Sequence, residues 1–289
     1  MKKYLSLVKF SHTIFALPFA LLGLFWGFEV MQSEALSPDK PYWQSFLLVL
    51  LCMVFARNAA MGFNRYIDRD IDGENQRTAV REIPAGLITP RNALIFVILN
   101  SLLFIGTTWF INPLCFFLSP VALLVILGYS LTKRFTALCH MVLGLGLALA
   151  PVGAYIAVTA QFAWEPIVLG IAVLTWVSGF DIIYALQDEE FDRDHKLNSI
   201  PAFLGKRNAL IVSTLLHVLT ASMILTFGYL IGGGWIFWVG AATFLALLIY
   251  QHTLVKPQDL SKINLAFFTT NGVASVVFGL CAIVELLIL

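Results

Sequence analysis

Asn64, Asp68 and Asp72 fall four residues apart, and Asp181, Tyr184, Asp188 and Asp192 form a second run at steps of three and four. Such spacings put side chains on one face of a helix. Two carboxylate faces opposed across a cavity can hold divalent cations between them. Magnesium suits such a site, because it is a hard ion that takes carboxylate oxygens together with phosphate oxygens. The implied chemistry is the binding of a strongly anionic diphosphate headgroup, with Mg²⁺ bridging it to the protein.

These faces must be carried by helices that cross a membrane. Hydrophobic residues make up 59% of the 289-residue chain and charged residues only 12%, against about 25% charged in a soluble domain. The mean hydropathy is +0.85. A crossing needs about 20 apolar residues at about 1.5 Å each, and nine such stretches are present. They run over approximately 11–31, 45–65, 91–110, 112–130, 136–158, 163–184, 207–229, 233–253 and 265–288. The expected fold is therefore all-α, a polytopic bundle of nine transmembrane helices in a single domain, 1–289. The first stretch follows Lys2, Lys3 and Lys9 as a signal peptide would, yet no clean small-x-small cleavage site follows it, and it reads as the first helix.

Positive charge orients this bundle. Sixteen lysines and arginines, among them Lys9, Arg65, Arg91, Arg193, Lys206 and Lys262, lie at one side of a nine-span arrangement; Lys40 lies at the other, and Arg57 sits within the second span. The positive-inside rule places the N-terminus in the cytoplasm and the C-terminus outside. Both acidic runs then fall on the cytoplasmic side. Arg57, seven residues before Asn64, is on the same stripe but deeper, and with Asp181 it should face the bundle interior, since charge in hydrocarbon is costly.

Lys133 and Arg134, after the fourth span, are placed to hold diphosphate oxygens, lysine as a mobile point charge and arginine as a fork. Arg77 and Arg81 belong to a long polar segment, Gly73 to Thr89, and a similar segment runs from Arg193 to Arg207. Both can cover a headgroup and exclude water. Asp70, Glu74, Glu189, Glu190 and Asp194 interleave at other angles and are expected to face solvent. His12, His140, His217 and His252 share no face, and His195 falls in a loop. Cys52, Cys115, Cys139 and Cys281 lie in apolar runs and read as small core residues. The chain has neither a Walker loop nor a dinucleotide glycine fingerprint. Its net charge of +1, with basic residues dispersed over membrane-proximal loops, excludes nucleic acid as an expected partner.

At this level of detail the chain resembles the UbiA-type intramembrane aromatic prenyltransferases, in their quinone-biosynthesis branch. Four segments carry the resemblance, in order and over nearly the full length: Asn64 to Asp72, Arg77 to Gly86, Tyr129 to Arg134, and Tyr184 to Asp192. The resemblance implies nine helices around a lipid-accessible cavity capped on the cytoplasmic side of a bacterial inner membrane. It implies Mg²⁺-dependent transfer of a polyprenyl group from polyprenyl diphosphate to a hydroxylated aromatic acid, either 4-hydroxybenzoate or 1,4-dihydroxy-6-naphthoate. By the same resemblance Asp68, Asp72, Asp188 and Asp192 hold the metal with help from Asn64. Lys133 and Arg134 contact diphosphate, and Arg57 reaches diphosphate or acceptor. Two departures bear on substrate subclass: Arg65 stands where aspartate is common, and Ser130 where proline is common. Transfer onto haem and a cation-coupled transporter built around Arg57 and Asp181 are the rival readings.

Overall fold

The computed structural model describes residues 2–8, 15–36 and 40–288. Lys9, His12 and the start of the first expected span lie outside the described residues. A short helix α1 (Lys2–Leu7) precedes α2 (Leu17–Ser33), α3 (Tyr42–Ile67) and the short α4 (Arg69–Glu74). After the polar segment come α5 (Pro90–Trp109), α6 (Pro113–Thr132), α7 (Cys139–Thr159) and α8 (Trp164–Ala185). The short α9 (Glu189–Asp194) leads to α10 (Ile200–Leu230), α11 (Trp235–Leu254) and α12 (Asn271–Ile288). Among the described residues, eight helical segments are long and apolar enough to cross a membrane, and α2 is a shorter apolar helix. Eight of the nine expected crossings are thus met among the described residues, and α2 covers the described part of the first at a shorter length.

Local signals set several of the helix starts. Thr89 accepts the N–H of Asn92 ahead of Pro90, and Ser199 accepts that of Ala202 ahead of Pro201. Between α5 and α6 the loop is minimal because Asn112 does two jobs. Its side-chain oxygen accepts the Cys115 N–H at 2.8 Å, and its amide donates to the Ile156 carbonyl of α7, also at 2.8 Å. The expected span at 207–229 is the apolar part of α10, whose first turn is set off by Gly205 at φ 76°, a backbone conformation glycine adopts without strain.

Phe19, Trp176, Phe244 and Phe278 from α2, α8, α11 and α12 form a buried aromatic cluster, and Trp176 Nε1 donates to Asn271 Oδ1 at 3.0 Å. Helices α7 and α8 meet closely at Gly144, where an added Cβ would stand 2.4 Å from the Leu174 carbonyl oxygen. Beside this cluster, α3, α5, α6 and α7, with the C-terminal part of α8, stand around a cavity of about 910 Å³.

Candidate functional site

The cavity has a polar mouth and an apolar depth. Its mouth is formed by Asn64, Arg65 and Asp68 at the end of α3, Asp72, Arg77 and Arg81 after it, Lys133 and Arg134 after α6, and Asp181, Tyr184 and Asp188 at the end of α8. Val49, Met53, Phe104, Leu118, Ala122 and Ala154 are among the residues lining its deeper wall. Arg57, Tyr129 and His140 also line it. Val49 to Asp68 along α3 represents roughly 28 Å of helix at about 1.5 Å per residue, so the cavity follows most of a membrane crossing.

Each of the four expected metal-binding aspartates is held by one of the four expected basic residues. Arg77 Nη2 lies 2.5 Å from Asp188 Oδ2, with its Nε 3.0 Å from Asp188 Oδ1. Arg81 Nη1 stands 2.6 Å from Asp72, Lys133 Nζ 2.6 Å from Asp192, and Arg134 Nη2 3.2 Å from Asp68. The polar segment after α4 and the one after α6 therefore fold over the two acidic faces. Burial and the nearby Asp72 push the Asp68 carboxyl above its usual range, while Arg134 acts in the opposite direction. Burial works against the Arg77 charge, but the hydrogen bonds and charge of Asp188 more than offset it, leaving its pKa raised.

Neither acidic stripe is a continuous helix. The first breaks at Asp68, which has φ −91° and ψ 6° between α3 and α4. Arg134 takes up the break, donating to the Ile67 carbonyl at 2.8 Å as well as to Asp68. The second passes through a 3₁₀ turn, Leu186–Asp188, before α9. As a result Asp192 is fully buried and faces Lys133, while Asp188 is on the cavity wall. Glu189, expected to face solvent, is buried instead, because Arg193 at 2.8 Å and Lys206 at 3.6 Å close over it. Glu74, Glu190, Asp70 and Asp194 are exposed as expected.

Three cavity residues had no signal in the spacing. His140 Nδ1 is 2.6 Å from Asp181 Oδ2, and its Nε2 accepts the Ile200 N–H at 3.3 Å, which places the ring proton of a neutral imidazole on Nδ1, toward Asp181. Phe267 stacks on Tyr184 with centroids 4.2 Å apart, and the Arg77 guanidinium lies over the Tyr184 ring, 5.6 Å from its centroid. Arg65 is buried on the cavity wall. Only the fold brings these partners together, since they belong to helices distant in sequence. Arg57 faces inward as expected, and its Nη2 donates to the Val8 carbonyl at 3.3 Å.

No three acidic, histidine or cysteine side chains among the described residues converge tightly enough to hold a metal alone. Yet Asp72 Oδ2 is buried without a hydrogen-bond partner, an unmet acceptor of the kind a cation satisfies. Two carboxylate faces with spare acceptor capacity fit an ion whose remaining ligands are substrate phosphates and water.

A cavity with a charged mouth and a long apolar depth among membrane-length helices is shaped for an amphiphile. The pattern of the UbiA prenyltransferase family matches residues 16–273, and the chain belongs to that family. It is a polyprenyltransferase, integral to a membrane. A 4-hydroxybenzoate octaprenyltransferase from Saccharophagus degradans is 32% identical over 238 residues, 82% of this chain and 79% of the relative. The apo structure of a UbiA homologue from Aeropyrum pernix K1 superimposes with a TM-score of 0.84 at 29% identity, covering 95% of this chain and 98% of that one. A UbiA homologue from Archaeoglobus fulgidus, solved bound to GPP and Mg²⁺, shares the fold with a TM-score of 0.73 at 23% identity, covering 98% and 99% of the two chains.

Proposed function

We propose that the enzyme moves a polyprenyl group from polyprenyl diphosphate onto the ring of a hydroxylated aromatic acid in quinone biosynthesis, with Mg²⁺ required. The observation that carries this reading is the set of four aspartate–base pairs at the mouth of an apolar cavity. Bound there, the metal would neutralise diphosphate charge and draw electrons from the allylic C–O bond. Asp68, Asp72 and Asp188, with Asp192 and Asn64 beside them, would hold it. With the aspartates holding the metal, Arg77, Arg81, Lys133 and Arg134 would be left to bind diphosphate oxygens. The same exchange stabilises the departing diphosphate. The apolar wall holds the prenyl tail, and the polar segments over the mouth keep water from the positive charge developing at the prenyl C1. Tyr129, Tyr184 and Arg57 complete the wall where ring and headgroup meet.

Relatives named for 4-hydroxybenzoate support a hydroxylated aromatic acid as acceptor, and 1,4-dihydroxy-6-naphthoate has the same phenol and carboxylate. The basic residues gather at the end of the bundle that carries the site, which supports a cytoplasmic mouth, a cytoplasmic N-terminus and an external C-terminus in a bacterial inner membrane. The test offers the purified protein a polyprenyl diphosphate, Mg²⁺ and, separately, 4-hydroxybenzoate, 1,4-dihydroxy-6-naphthoate and protohaem. Prenylated acid with stoichiometric diphosphate is the expected result. Product on haem alone, or folded protein that releases no diphosphate with any acceptor, would overturn it.

A further inference from the structure

We propose that Arg65 receives the carboxylate of the aromatic acceptor; this rests on the function proposed above. Four of the cations at the cavity mouth are paired with aspartates, whereas Arg65 forms no ion pair with a described carboxylate. Among the described residues its side chain makes one hydrogen bond, a long one from Nη1 to Asn64 Oδ1 at 3.4 Å, and its buried Nε has no partner. Arg81 repels it, and Asp72 and Glu82 attract it from beyond ion-pair distance. Asp72 is engaged by Arg81, and Glu82 accepts a hydrogen bond from Ser6. A guanidinium buried on a cavity wall with an unused donor edge is arranged for an anion that arrives with a ligand.

That anion is the acceptor's carboxylate rather than the donor's diphosphate. Arg65 as a whole is 6% exposed, while the side chains of Arg77, Arg81, Lys133 and Arg134 are 22 to 42% exposed. A Mg²⁺–diphosphate keeps bound water and suits the wetter ring of four cations. The drier position beside α3 suits a single planar charge on an aromatic ring, which a fixed guanidinium meets in two parallel hydrogen bonds. Arg57 lies deeper along α3 and donates to the carbonyl of Val8 at 3.3 Å.

The experiment measures steady-state kinetics of wild type, Arg65→Gln and Arg65→Lys, varying the aromatic acid and the prenyl diphosphate independently, with methyl 4-hydroxybenzoate as an acceptor lacking the carboxylate. Wild-type turnover of the free acid is the control for the proposed function, so its absence would fault that reading and not this assignment. Given that turnover, Arg65→Gln should raise KM for the acid roughly 10- to 100-fold, the effect of losing charged hydrogen bonds. It should leave KM for the prenyl diphosphate within about twofold and erase the preference for acid over ester. Arg65→Lys should recover part of the loss. A rise in KM for the diphosphate instead would transfer Arg65 to the donor site, and unchanged constants would remove it from both. Loss of fold in both variants, read by thermal unfolding and gel filtration, would make it a structural residue. Each of those three results overturns the proposal.

Discussion

Asp192 and Lys133 show how side chains at this site depend on each other. Asp192 is completely buried and Lys133 is its ion-pair partner at 2.6 Å. Removing the lysine alone leaves a buried carboxylate without its counter-charge, a change that costs up to roughly 3 kcal/mol. Lys133→Met should therefore lower the unfolding temperature, and adding Asp192→Asn should restore most of the loss without restoring turnover. Thermal unfolding of the two single variants and the double variant checks this. Asp188→Asn has a different expected effect. Its neighbours Arg77 and Asn75 can still bond an amide, so the protein should fold normally while turnover falls at least ~100-fold, the size of a lost transition-state contact. Spacing pointed to all four aspartates and loop position to all four cations but not to their pairing, because three of the four pairs join segments far apart in the chain. Arg65 and His140 were less legible still. Their significance lies in what surrounds them across the bundle, and neither sits at a diagnostic interval from a partner.

At the scale of elements, the helices were readable from length and hydropathy, and the close contacts between them were not. Gly144 illustrates the point: its sequence context is an ordinary apolar run, yet a Cβ there would overlap the backbone of α8. Gly144→Val should separate α7 from α8 and destabilise the protein by about 1–3 kcal/mol, seen as a lower unfolding temperature in detergent. The breaks at Asp68 and at Leu186–Asp188 also escaped the sequence. Neither stretch, 64–68 or 181–192, contains the proline or glycine that usually marks a helix end. The break at Asp68 is instead sustained by Arg134, which binds the freed carbonyl of Ile67. By contrast, the minimal 112–113 junction between the expected spans 91–110 and 112–130 is held by Asn112 and Pro113, both helix-start residues.

At the scale of the whole molecule, the basic residues Arg77, Arg81, Lys133 and Arg134 gather at the end of the bundle that carries the cavity mouth. Lys40, at the opposite end, donates to the Ile111 carbonyl. Single cysteines placed at Arg91 and at Trp164, in a background without the four native ones, should divide by side. The first should react with an impermeant thiol reagent only from the cytoplasmic face, the second only from the external face; the reverse pattern would invert the proposed topology. The polar mouth and the apolar depth also assign the two parts of the donor to different regions, since the tail needs hydrocarbon and the diphosphate needs cations and metal. The central claim is that Mg²⁺ and the two aspartate faces form one site with diphosphate. Its most direct test is calorimetric titration of the protein in detergent with geranyl diphosphate, with and without Mg²⁺, for wild type and the Asp68→Asn and Asp188→Asn variants. Tight binding only to wild type and only with Mg²⁺ is the predicted result. Equal affinity without the metal, or in both variants, would contradict it.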